Sequence, residues 1–237
     1  MTTAPLVLLP GMLCDAGLWD DVRDGLGGST VDVELSAPSI EGMAKQVLAA
    51  VDGPFALAGL SLGAIVGFEV LRLAPERVTG FCAMSTNAGA PRPHQLDQWA
   101  ALARLTAEGG FADAVEAILP TMFATPDPPA EHARRFLAMA RRVGPDTFGA
   151  QLAAQATRTD AHEALRAVRV PSLVLSGGAD ALCPESFHTA IASAIPGADL
   201  RTLPGAGHLL PIERPGDVAG LLADWLRTVP RRKESHA

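Results

Sequence analysis

The stretch Gly59-Leu60-Ser61-Leu62-Gly63 constrains this chain more than any other. It sits where the apolar run Phe55 to Leu60 meets an apolar helical pattern from Leu62 to Ala74, so a strand has to become a helix almost at once. A turn that tight strains the backbone of its central residue, and side chains at the flanking positions would strike the neighbouring chain. Glycine at 59 and 63 removes them. The turn also sets the Ser61 hydroxyl at the start of a helix, where free N–H groups and the helix dipole favour developing negative charge.

Around this turn, short apolar runs alternate with helical patterns. The runs are Leu6 to Leu9, Val31 to Leu35, Phe55 to Leu60, Val78 to Met84, Ser172 to Leu175 and Asp199 to Leu203; the helical patterns are Leu18 to Leu26, Glu41 to Val51, Leu62 to Ala74, Glu185 to Ala194 and Asp217 to Thr228. Such alternation predicts an α/β fold with a mostly parallel central sheet of about six strands, flanked by helices. Between Thr86 and Arg169 the strand signals stop. Four helical patterns replace them, His94 to Ala107, Phe111 to Leu119, Pro129 to Val143 and Asp146 to Thr157, broken by Gly109-Gly110, Pro126-Asp-Pro-Pro129 and Gly144-Pro145. The expected organisation is a core of residues 1–86 and 169–230, a helical cap insertion of 87–168, and a disordered polar tail of 231–237.

The insertion carries Trp99, Leu102, Met122, Phe136 and Met139, candidates for an apolar substrate pocket, although packing of the insertion explains such residues equally well. Arg134, Arg135, Arg141 and Arg142 fall on one helix of the insertion. Docking of an acidic carrier protein is one reading of them, and a solvated cationic face is the simpler one.

The 237 residues, 48% of them hydrophobic, suffice for a substantial core and exclude intrinsic disorder. A formal charge of −7 disfavours nucleic acid and anionic lipid as partners. Cys14, Cys82 and Cys183 are odd in number and lack Cys-x-x-Cys spacing, so no disulfide framework or cysteine zinc site is expected and a cytoplasmic setting is the default. The beginning of the chain lacks the features of a secretory signal, and the longest uncharged stretch, Gly53 to Phe68, is too short and glycine-broken for a membrane span.

A serine hydroxyl needs an adjacent base to act as a nucleophile. Of six histidines, His208 has the setting for it, in the loop Gly205-Ala-Gly-His-Leu-Leu-Pro211 after the last strand run. His94, His132, His162, His188 and His236 read as exposed or structural, with His188 on a surface helix. Asp180, past the run Ser172 to Leu175, can hold the imidazole in the right tautomer. Strand-then-loop logic puts all three residues at the carboxyl edge of a parallel sheet, where such sheets assemble their sites. His162-Glu163 begins a zinc-type His-Glu-x-x-His pattern, but Arg166 stands at the second ligand position, so no metal and no cofactor are expected.

These residues resemble the α/β-hydrolase superfamily. The order Ser61, Asp180, His208 matches that family's nucleophile, acid and histidine, and the resemblance runs from about Pro5 to Thr228. It implies that Leu9-Pro10-Gly11-Met12-Leu13-Cys14-Asp15 with Trp19 is the oxyanion loop, and that the N–H groups of Met12 and Leu62 form the oxyanion hole. The chain departs from the family pattern in having Pro10 where many relatives have histidine, in lacking the initial hairpin of the larger sheet, and in a short Ala37 to Glu41 segment. Within the superfamily it looks most like small carboxylesterases such as the pimeloyl-carrier-protein methyl ester esterases. The function implied is hydrolysis of a carboxylic ester of a small to medium apolar substrate, by a monomer or homodimer. Lactone or carbon–carbon hydrolysis, perhydrolysis, and a non-catalytic ligand-binding role remain open beside it.

Overall fold

In the computed structural model, which describes residues 4–230, six parallel strands form one sheet in the order β2-β1-β3-β4-β5-β6. The strands are β1 (Leu6–Leu9), β2 (Thr30–Asp32), β3 (Phe55–Leu60), β4 (Val78–Met84), β5 (Ser172–Gly177) and β6 (Asp199–Leu203). The polar tail expected over 231–237 lies outside the described residues. The chain runs from β1 outward to β2, then returns past β1 to lay down β3, so the winding direction reverses between β1 and β3. Open parallel sheets bind ligands in the crevice at the carboxyl ends of the strands at such a reversal. Both the Ser61 turn and the loop after β1 leave the sheet there.

Alternation along the strands gives each sheet face its own core. Leu6, Leu8, Ala58, Leu60, Cys82 and Met84 point to one face, and Val7, Leu9, Leu57, Phe81 and Ala83 to the other. The second face is covered by α2 (Ile40–Ala50), α3 (Leu62–Leu73) and α8 (Glu185–Ala194), through residues such as Met43, Val66 and Ile191. The first packs against α1 (Asp20–Arg23), α9 (Leu210–Glu213) and α10 (Pro215–Thr228), with Val22, Ile212, Leu222 and Trp225. A sheet buried on both faces accounts for the nearly continuous apolar character of β1, β3 and β4.

Between β4 and β5 come α4 (Pro93–Ala107), α5 (Phe111–Ile118), α6 (Ala130–Ala156) and α7 (His162–Leu165). Phe136, Met139, Phe148 and Leu152 of α6 join the core of the first face. Within the span of α6 the two helices expected at 129–143 and 146–157 meet at a break, because Gly144 takes φ 73°, ψ 171°, a non-helical conformation that glycine adopts without the Cβ penalty, and Pro145 follows it. Three expectations change. The Val31 to Leu35 run forms only a three-residue strand, although Val33 and Leu35 remain buried. The Leu18 to Leu26 pattern shortens to a 3-10 turn at Ala16–Trp19 followed by the single turn of α1. The short α7 and α9, each four residues, had no periodic signal to find.

The Ser61 turn is held by backbone contact. A Cβ at Gly63 would lie 2.3 Å from the Leu9 carbonyl oxygen, and one at Gly59 would lie 2.5 Å from the Ala64 nitrogen. Gly63→Ala should therefore cost about 1–3 kcal/mol of stability, as overpacking does. Gly220→Ala, in α10 with no heavy atom within 4 Å of the added methyl, should gain about 0.5–1 kcal/mol. Urea midpoints of the two variants should move in opposite directions.

Candidate active site

Ser61 lies between β3 and α3 with φ 53° and ψ −111°. Its carbonyl begins the helix, accepting from the N–H groups of Ala64 and Ile65, each at 3.1 Å, while its own N–H donates to the Met84 carbonyl at 2.8 Å. The Thr86 hydroxyl, just past β4, also donates to the Ser61 carbonyl, at 3.0 Å. This strained backbone is thus fixed from its own helix and from the neighbouring strand.

Asp180 and His208 leave the same edge of the sheet, past β5 and β6, and are 5% and 3% exposed. His208 Nδ1–H donates to Asp180 Oδ2 at 2.8 Å, and Asp180 Oδ1 accepts the N–H groups of Leu182 and Cys183, each at 2.9 Å. Burial works against the Asp180 carboxylate, but His208 and the two N–H donors outweigh it and hold its pKa below the ordinary value. For His208, burial likewise disfavours the charged form; the Asp180 carboxylate beside it, helped by the Cys183 thiol, prevails and pushes its pKa up to about 10. The bond fixes the tautomer and leaves Nε2 as the free nitrogen.

Ligand atoms of Asp180, Cys183 and His208 lie within 4.8 Å of one another. His208 Nδ1 and both Asp180 oxygens already take part in hydrogen bonds within this group.

Gly11 brings the loop after β1 against the Ser61 turn: a Cβ there would lie 3.5 Å from the Ser61 Cβ. Leu62, the first residue of α3, has no intrahelical acceptor for its N–H. The Leu13 N–H, next to Met12, is taken at 3.0 Å by the side chain of Gln151, whose amide in turn donates to the Leu35 carbonyl at 3.2 Å. Leu13 itself sits at φ 63°, so Gln151 of α6 holds a strained loop in place.

Of the residues singled out in the insertion, Met122, Phe136 and Met139 are almost inaccessible within the core, while Trp99 and Leu102 are half-buried against it. The arginine face is partly neutralised, since Arg135 pairs with Asp21 and Arg142 with Asp15, leaving Arg134 and Arg141 exposed. A cavity of about 420 Å³ lies behind the loop after β1, bordered by Pro10, Asp15, Glu34, Arg142 and Gln151, and is not lined by Ser61, Asp180 or His208.

Sequence reading missed three residues that shape the site. His188 is fully buried, not on the surface: its Nε2 accepts the Thr86 N–H at 3.0 Å, and burial pushes its pKa down to about 4, so it stays neutral. The spacing of His188, Ile191 and Ile195 along one helical face was the signal. Glu213 accepts the Gly207 N–H at 2.9 Å and the Ala124 N–H at 3.0 Å, clasping the His208 loop to the insertion. Cys183 borders His208. Only tertiary packing reveals these last two.

The model of the alpha/beta hydrolase family matches residues 6–221. A thermophilic esterase from Thermogutta terrifontis, solved with malate bound, superposes with a TM-score of 0.87 at 27% identity, over 95% of this chain and 90% of that one. An enol-lactonase from Burkholderia xenovorans LB400 superposes with a TM-score of 0.81 at 23% identity, over 96% and 92% of the two chains. Among curated proteins, the provisionally named carbamate hydrolase RutD of Klebsiella pneumoniae is 29% identical over 65% of this chain. The match spans 59% of that relative's own length. Among the described residues, no helix is long and apolar enough to cross a membrane. The strained serine between strand and helix, the six parallel strands and the match along nearly the whole chain agree, and the chain belongs to the alpha/beta hydrolase family.

Proposed function

We propose that this hydrolase cleaves carboxylic esters through an acyl-enzyme formed on Ser61. The observation that carries the reading is the buried Asp180–His208 bond at the sheet edge that also presents Ser61. Ser61 Oγ attacks the ester carbonyl while His208 Nε2 takes its proton, and Asp180 holds the ring and stabilises the imidazolium. The N–H groups of Met12 and Leu62 receive the oxyanion, aided by the start of α3. Collapse expels the alcohol, which takes the proton from His208. Water, deprotonated by the same imidazole, then releases the acid and restores Ser61. Helices 87–168 act as a cap over a mostly apolar compartment, with Trp99 and Leu102 at its accessible margin. The esterase and carbamate hydrolase names of two relatives both denote cleavage between a carbonyl carbon and a heteroatom, which favours this chemistry over carbon–carbon cleavage.

Ser61→Ala should lower turnover of 4-nitrophenyl butyrate by about 10³–10⁶-fold and abolish labelling by a fluorophosphonate. Undiminished turnover in that variant would remove Ser61 from the mechanism.

His208 must be neutral to accept the proton. Because Asp180 raises its pKa above the ordinary 6.5, toward about 10, kcat/KM should still be climbing above pH 6.5. Asp180→Asn removes the raising charge, so the limb should move to lower pH while the rate falls by about 10⁴-fold. An acid limb unmoved by this change would contradict the coupling.

The same pair sets a stability window. Asp180, with its pKa lowered, contributes stability present above about pH 3.8 and lost as pH falls through the folded value; His208, with its pKa raised, contributes stability present below 6.5 and lost as pH rises toward about 10. Tm measured against pH should plateau between these limits, and Asp180→Asn should flatten both flanks.

A further inference from the structure

The Asp180 bond fixes one nitrogen of the His208 ring, but where Nε2 lands depends on the backbone that carries the ring. That backbone runs between two supports. On one side is the Asp180 loop: the Ala179 N–H donates to the Ala206 carbonyl at 2.8 Å, and a Cβ on Gly177 would lie 2.1 Å from the Gly207 carbonyl oxygen. On the other is the segment Met122–Ala124 of the insertion. The Leu209 N–H donates to the Met122 carbonyl at 3.1 Å, and a Cβ on Gly207 would lie 2.2 Å from the Ala124 nitrogen. His208 is the residue between these two contacts with the insertion.

Glu213 closes the second support. It ends α9, whose Leu210, Pro211 and Ile212 are buried, and its carboxylate reaches back along the chain: Oε1 accepts the Gly207 N–H at 2.9 Å and Oε2 the Ala124 N–H at 3.0 Å. One anion thus takes one backbone donor from each of the two segments, and hydrogen bonds to an ionised acceptor are the stronger kind. Burial raises the pKa of this carboxyl against the opposing pull of those donors and of His132. The insertion side of the clasp is itself anchored, because the Phe123 ring stacks on His132 at 5.8 Å and meets Phe136 edge-on at 6.4 Å, both on α6.

We propose that Glu213 is a positioning residue for His208: by locking Gly207 onto Ala124 it makes the insertion the second support of the base, and so sets how Nε2 meets the Ser61 hydroxyl. The Asp180 bond does not do this alone, since a ring held at Nδ1 still travels with its loop, and a misplacement of about 1 Å costs about 10²-fold in rate. This deepens the reading of His208 as the base of an esterase and rests on it.

Glu213→Gln keeps the shape and offers one acceptor oxygen where the carboxylate offers two; Glu213→Ala offers none. With 4-nitrophenyl butyrate, kcat should fall about 10-fold in the first and about 100-fold in the second, while KM stays within about twofold of the wild type. A merely structural role would lower Tm and leave kcat of the folded protein unchanged, and that result, or a loss carried by KM, would overturn the proposal. The nitrogen chemical shifts of the His208 ring give a readout that needs no turnover. They should move in Glu213→Gln, and unmoved shifts would refute the positioning role whatever the kinetics. Moved shifts in a protein whose wild type cleaves no ester would sink the esterase reading and leave the positioning role standing. Should neither variant fold, amide exchange in the wild type decides: Gly207, Leu209 and Ala124 should share one protection factor, and factors that differ by more than about tenfold would count against a common clasp.

Discussion

The approach of one backbone onto another at the reversal of the sheet underlies the rest of the molecule. Gly63 allows the first turn of α3 to rest on Leu9 of β1, and Gly59 lets the chain double back tightly enough that Ser61 is left at φ 53°. No side chain of any size fits between those backbones, so the strain at Ser61 is imposed from two sides and cannot relax locally. The same contact brings the loop after β1 beside the serine, because Gly11 meets the turn from that direction. Ser61 and the loop after β1 are thus set against each other by one packing event between two neighbouring strands.

What the later half adds is connected through polar groups. Thr86 joins the Ser61 carbonyl to His188, and His188 sits on the helix that follows the Asp180 loop. Gln151 of α6 reaches the strained Leu13, and Glu213 joins Gly207 to Ala124. Each link spans elements far apart in sequence, and each satisfies backbone groups that burial would otherwise leave without partners. The insertion is consequently tied at two points to loops that serve the site: one beside Ser61, the other beside His208.

This division explains which parts were legible beforehand. Strand β3, the turn and α3 are encoded locally: six apolar residues, two glycines at fixed offsets, then an apolar helix ended by Pro75. Asp180 and His208 were readable because each follows a strand run directly, and the structure bonds them to each other. Periodicity failed where packing, not pattern, decides the outcome, as at Val33 and Leu35, which are buried without being strand. It also failed at Glu213 of the short α9, a polar residue partly covered through a neighbour far away in sequence, Ala124.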